Sequence, residues 1–401
     1  MPGLTYHTAG ESHGPGLIAL IQGMPADVPV DVEFIDAELR RRQGGYGRGG
    51  RQKIESDSIE IISGVRLGRT IGSPIALRIN NKDSRIDDTQ RTPSVYRPRP
   101  GHADLAGSVK WLTTDCRATL ERASARETAA RTAAGALTRC LLRELEIEVF
   151  GFVRAIAGAA TEIAITTDNR QQMLEARDAS DVYCPDEQAS EQMREHIRQA
   201  KIDKDTVGGL VEAHIFGCPI GLGSSVDWRA KLDGRLAQAV MSIQAFKSVE
   251  IGLGRDVAGR RGSQVHDPIH FDESQRMRAS LGYVRSSNNA GGLEGGMTNG
   301  QPIVVRGAMK PISTLLQGLP SVDLNTKEPE QSTYERSDIC AVSAASVVME
   351  NVVAFEVARA ALEKFGGDSL IELQANYDNF METARALPLD PPDERKGPVL
   401  A

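Results

Sequence analysis

The chain has 401 residues, 40% hydrophobic and 25% charged, which excludes a disordered or collagen-like polymer. It is long enough to bury a sizeable core, which with only 4% aromatic residues must rest on Ala, Val, Leu and Ile. A formal charge of −7 argues against default nucleic-acid binding, and no stretch approaches the ~20 apolar residues of a membrane span.

The first sixteen residues are polar and Gly-rich, without the basic-then-apolar pattern of a secretory signal. There Gly10-Glu11-Ser12-His13-Gly14 sets a histidine between glycines. Its letters fit a G-x-S-x-G nucleophile elbow, but no preceding strand is evident, so the elbow is rejected. Residues 40–54 then carry Arg40, Arg41, Arg42, Arg48, Arg51 and Lys53 with no acid, threaded with Gly44, Gly45, Gly47, Gly49 and Gly50. Glycine lets backbone approach a ligand, and arginine grips phosphate or carboxylate in forked pairs; a solvated basic loop is the alternative. The G-x-G-x-x-G match at 45–50 is rejected as a dinucleotide fingerprint, because a helix-like segment precedes it and the strand-like Ser58–Ile61 follows.

Alternation at Ile75–Ile79 predicts a strand, as it does again at Val211, Ala213 and Ile215. Arg91, Arg97 and Arg99 lead into Pro100-Gly101-His102-Ala103-Asp104, a rigid turn holding a second histidine. Histidine titrates nearest neutrality, which suits it to proton transfer. One long helix is predicted over about 113–145, with a small-residue middle at 125–136 that suits an interior position. A charged surface helix is predicted over about 186–201, with Pro185 in its first turn.

Gly-rich loops occupy 252–262 and 291–300. His266 and His270 have i, i+4 spacing, but Pro268 opposes a helix, and no metal site is expected. The five cysteines are odd in number and widely spaced, which suits reduced thiols in a cytoplasm. A helix over about 341–365 stops at Gly366-Gly367, and a Pro-rich tail is predicted at 387–401, after one large domain at 1–386.

Cations at 42, 48, 91, 97, 99, 122, 126, 131, 310 and 336 come from separate segments of an acidic chain. That pattern points to a focused pocket for a small, multiply anionic ligand. RNA would want interleaved aromatics, and only Tyr46 and Tyr96 sit among these arginines.

Three segments resemble the signatures of the chorismate synthase family: 10–15 (Gly-Glu-Ser-His-Gly-Pro), 121–131 (Glu-Arg-Ala-Ser-Ala-Arg-Glu-Thr-Ala-Ala-Arg) and 336–342 (Arg-Ser-Asp-Ile-Cys-Ala-Val). Segments 42–48, 244–247 and 310–314 are also similar, in the expected order. The resemblance spans about 8–365. It implies elimination of phosphate from 5-enolpyruvylshikimate 3-phosphate, a 1,4 (anti) reaction giving chorismate with no net redox change. Reduced FMN is implied as cofactor, acting by transient electron donation, with NADPH as a possible reductant.

By the same resemblance His13 protonates the leaving phosphate and His102 supplies a proton near the flavin. Asp338 helps remove the substrate hydrogen, with Ser12 and Ser124 assisting. FMN binding falls to Arg122, Ala123, Ser124, Gln244, Ala245, Gly295, Lys310, Pro311, Ile312, Ser313, Thr314 and Arg336. Arg42 and Arg48 match NADPH positions or grip substrate anions. The implied fold is α/β of the α+β type, a layered β-α-β sandwich with helices between outer sheets, assembled as a homotetramer. Ala123 and Ser343 depart from the Ser and Pro common in the family. An NADPH-dependent flavin oxidoreductase is the rival enzyme.

Overall fold

The computed structural model describes residues 3–50, 56–335 and 337–388. Its first sheet contains β1 (Thr5–Ala9), β2 (Gly16–Gln22), β3 (Glu60–Ser63) and β4 (Ile75–Asn80), antiparallel in the order β1-β2-β4-β3. The register pairs Leu17 with Ile79, Ala19 with Leu77 and Ile21 with Ile75, all buried. Opposed residues of an antiparallel pair share a face, so these six form one apolar wall. The second sheet contains β5 (Glu148–Ile156), β6 (Ala159–Ala160), β7 (Gly209–Phe216), β8 (Phe246–Ile251) and β9 (Ile303–Met309), in the order β8-β9-β7-β5-β6 and also antiparallel.

Some of the helices fill the space between. The helices run in chain order as α1 (Val32–Gln43), α2 (Asp104–Lys110), α3 (Arg117–Ala123), α4 (Thr128–Arg143), α5 (Arg170–Ala179), α6 (Glu187–Ile202), α7 (Leu232–Met241), α8 (Val342–Phe365) and α9 (Leu370–Arg385). α4 packs on β2 and β4, α8 packs on β5 and β7, and the two helices cross each other. The order is therefore sheet, α4, α8, sheet, which is the layered sandwich expected. α8 is buried on nearly every side, as a helix of a middle layer must be. Gly135 makes the crossing possible, because a Cβ there would stand 2.1 Å from the Asn351 carbonyl oxygen. The second sheet is not bare outside: Phe150, Phe152 and Phe216 cover themselves with Ile165 and with Met173 of α5.

A buried ion cluster ties α1, α4 and α8 together. Arg41 and Arg139 both reach Glu38 at 2.8 Å and both pair with Glu350. Asn351 donates to Glu38 at 2.9 Å.

Several boundaries differ from those predicted. The helix expected over 113–145 is two helices, broken where Ser124 turns extended (φ −61°, ψ 142°). Its hydroxyl accepts the Arg126 N–H, the local bond by which serine competes with helix. Asp186 caps α6, so Pro185 lies before the cap rather than in the first turn. A strand does precede Gly10, contrary to expectation, but another strand follows it, so no nucleophile elbow forms. α9 was not foreseen, although Ser369 and Glu372 make a reciprocal capping box. Residues 389–401, most of the predicted tail, lie outside the described residues. Among the described residues no helix is long and apolar enough to cross a membrane.

Candidate active site

A cleft of about 520 Å³ opens where the β1–β2 loop, the break between α3 and α4, the end of β9 and the start of α8 meet. His13 sits in that β1–β2 loop and is buried. Asn81, just after β4, donates from its side-chain amide to the carbonyls of Glu11, Ser12 and Gly14. Arg85 and Ile86 donate backbone N–H groups to the His13 carbonyl at 2.8 and 3.0 Å. The ring meets Glu121 through Nδ1 at 2.9 and 3.0 Å, and Glu121 also accepts the His13 backbone N–H. Burial opposes ionisation of Glu121, but the His13 bonds hold the carboxyl below its usual range. Ser124 donates to Ser12 at 3.2 Å beside it.

His102 lies in the turn before α2, where Gly101 takes φ +77°. Its Nδ1 is 2.5 Å from Asp104 Oδ1. Arg99 clamps the same carboxylate and donates to Thr314 Oγ1 at 3.0 Å. Burial disfavours the charged form of Asp104, yet bonds from His102 and Arg99 hold it well below the usual carboxylate range.

Asp338 lines the cleft with Arg48 Nη1 at 3.0 Å and the Gly49 N–H at 2.6 Å. The glycines of the 44–50 loop serve the chain itself. A Cβ at Gly45 would meet Ser343, one at Gly47 Ile197, and one at Gly49 the Ser337 carbonyl oxygen, all within 3.0 Å. Their close approach seats Asp338, a use not foreseen in the sequence. Arg42 and Arg126 converge on Asp57 at 2.9 and 2.6 Å. Burial outweighs the Asp57 carboxylate and lowers the Arg42 guanidinium to about 10, leaving it charged at neutral pH. Burial and the Lys247 charge also lower Lys310.

The cleft thus gathers Ser12, His13, Arg42, Arg48, His102, Ala123, Ser124, Gln244, Ala245, Lys310, Ile312, Ser313, Thr314 and Asp338. Arg122 is exposed and bonds Thr8 and Gly10 instead. Gly295 and Pro311 are exposed and do not line the cleft. Arg336, Arg51 and Lys53 lie outside the described residues.

The expected convergence of arginines is partial. Arg41 belongs to the core cluster, and Arg131 bonds Tyr6, Ala239 and Ser242. Arg91 and Arg97 line a second cleft of about 650 Å³. That cleft is not the candidate site, since Glu330 and Glu335 pair with its Arg97 and Arg117 and neither His13 nor His102 lines it. Sequence reasoning gave no role to Asn81, Asp83, Arg85 or Glu127. Asp83 and Arg85 sit in a mixed charge run at 82–88 that looks like an ordinary solvated loop, while Glu127 lies within the 121–131 signature. Among the described residues no group of three or more His, Cys, Asp or Glu side chains could hold a metal ion.

A flavin fits what lines the cleft. Gln244 donates to Glu127 at 3.0 Å, while its buried Oε1 has no hydrogen-bond partner among the described residues and can accept an N–H. Ala123, Ala125, Ala341, Ala344 and Ala345 give a small-residue wall with room for a flat ring, and Arg48 and Lys310 supply positive charge.

Two histidine–carboxylate pairs, an aspartate and several cations around one cleft define an enzyme that moves protons on a small polyanion. A family model described as chorismate synthase matches residues 4–362. A chorismate synthase of Geobacter sulfurreducens is 53% identical over 393 residues, 96% of this chain and 100% of that protein. One from Desulforamulus reducens is 51% identical over 391 residues, 95% of this chain and 99% of that protein. A crystal structure of chorismate synthase matches with TM-score 0.78 and 40% identity, covering 96% of this chain and 99% of that one. The chain belongs to the chorismate synthase family. Its activity is that of a lyase that removes phosphate from 5-enolpyruvylshikimate 3-phosphate to give chorismate, in the shikimate pathway, with a requirement for reduced flavin. The flavin oxidoreductase alternative is not favoured.

Proposed function

We propose that this cleft holds 5-enolpyruvylshikimate 3-phosphate beside reduced FMN and divides a 1,4 anti elimination among its own side chains. The observation that carries the reading is the meeting of His13, His102 and Asp338 with Arg42, Arg48 and Lys310 around one cavity. When bound, the flavin supplies transient electron donation that helps expel phosphate without net redox change. His13 gives a proton to the leaving phosphate. Asp338, steadied by Arg48 and Gly49, accepts the hydrogen lost from the substrate ring as a proton. His102 holds a proton on the wall that Arg99 ties to Thr314, within the FMN-binding segment 310–314. Ser12 and Ser124 relay protons through their 3.2 Å contact.

Ala123, Ser124, Gln244, Ala245, Lys310, Ile312, Ser313 and Thr314 form the FMN wall in this reading. Arg42 and Arg48 take the anionic groups of the substrate, or NADPH where it serves as reductant. Residues 1–386 carry the activity, in a cytoplasmic homotetramer without nucleic acid or membrane partners.

The test is anaerobic incubation with reduced FMN and 5-enolpyruvylshikimate 3-phosphate. Phosphate and chorismate in equal amounts, with no net flavin oxidation, are expected. NADPH consumption without substrate would favour the oxidoreductase instead, and NADPH as sole electron source tests the reductant.

A further inference from the structure

His13 and His102 have matching neighbours, although they come from different segments. Glu121 meets His13 Nδ1 at 2.9 Å, and Asp104 meets His102 Nδ1 at 2.5 Å. Arg85 Nη2 lies 3.3 Å from His13 Nε2, and Arg99 Nη2 lies 3.3 Å from His102 Nε2 and 2.9 Å from its Nδ1. Both carboxylates are buried, at 1% and 0% exposure.

An ionised carboxylate only accepts hydrogen bonds, and a guanidinium only donates. A neutral imidazole between them must carry its hydrogen on Nδ1 and its lone pair on Nε2. In His102 the assignment rests on Asp104, which faces Nδ1 at 2.5 Å, because Arg99 Nη2 lies near both ring nitrogens. Free neutral histidine prefers the opposite tautomer, so both rings are held against their own preference. We propose that Glu121 and Asp104 are positioning residues that fix His13 and His102 as Nδ1–H tautomers, leaving Nε2 the one atom of each ring that exchanges a proton with bound ligands.

This rests on the proton-transfer reading of both histidines. The other charges around His13 are Asp83, 3.8 Å from Nε2, Arg85 itself, and Arg117, which reaches Glu121 at 3.4 Å. Those around His102 are Arg99 and Lys310, the latter beside Gly101. When the ring takes its second proton, on Nε2, the nearby guanidinium must turn away, and Arg85 already has Asp83 at 3.0 Å to turn to.

Side-chain ¹⁵N NMR of histidine-labelled protein reads the tautomer directly, without substrate or flavin. In their uncharged form both rings are expected as Nδ1–H. An Nε2–H form, or the mixture of a free imidazole, at either ring would overturn the assignment. In Glu121→Gln and Asp104→Asn the ring loses its negative partner, so the imidazolium is disfavoured and the basic limb of the kcat profile should move to lower pH. kcat should fall by about 10²–10⁴-fold with KM little changed, as when the aspartate of a catalytic triad is made amide. Glu121→Asp should recover part of the loss. Unchanged pH profiles in folded variants would sink the proposal even with the tautomers as expected. Wild-type turnover in His13→Ala and His102→Ala would instead overturn the proton-transfer reading, whatever the tautomers.

Discussion

His13 owes its place to residues that do no chemistry. A Cβ at Gly10 would stand 2.3 Å from the Gly16 carbonyl oxygen, so only glycine lets the β1–β2 loop close, and Asn81 then fixes the loop through three carbonyls. The ring so placed should be costly to lose. His13→Ala and His102→Ala are each expected to lower kcat by about 10²–10⁴-fold with FMN saturating, the range for a general acid or base, measured by chorismate formation. Near-wild-type turnover in either would remove that ring from the chemistry. Both histidines and Asp338 were legible because motif residues surround them. Asp83 and Arg85 were not, because nothing local tells a charge aimed at an imidazole from one aimed at water.

Among the elements, the decisive contact is α4 against α8. The Ala, Thr and Gly content of 125–136 announced an interior helix, and the structure buries 129–138. What the sequence could not announce was its partner, since Gly135 meets Asn351 across a long separation in the chain. The same holds for the 44–50 loop, whose Gly49 finds Asp338 289 residues away. Its glycines read equally well as room for a ligand, and only the folded chain shows what fills the room. Gly135→Val should force the two middle-layer helices apart at a cost of about 1–3 kcal/mol or more, seen as a lower midpoint in urea or heat. An unchanged midpoint would mean that α8 shifts freely at Asn351.

The whole molecule carries its charge partly as buried pairs, and that sets its response to acid. Burial opposes ionisation of Glu38, but Arg41 and Arg139 hold it at about 2; burial likewise opposes Glu212, which His214 and Arg306 hold at about 2. Glu121 and Asp104 are lowered too. A depressed folded value means that each carboxylate contributes stability fully above its unfolded value of about 4 to 4.5, and loses it as pH falls through the folded value. The melting temperature should therefore hold level from about pH 7 to 5 and drop steeply from about pH 5 to 2, followed by circular dichroism. A level melting temperature down to about pH 3 would contradict this account.

Arg41 and Arg42 are consecutive in α1, yet one is anchored to Glu38 and Glu350 in the middle of the molecule and the other stands at the rim of the cleft beside Asp57. A single turn of backbone thus serves as keystone for both. Catalytic competence has no slack to fail early: heating should abolish turnover and melt the protein together, at one temperature rather than two.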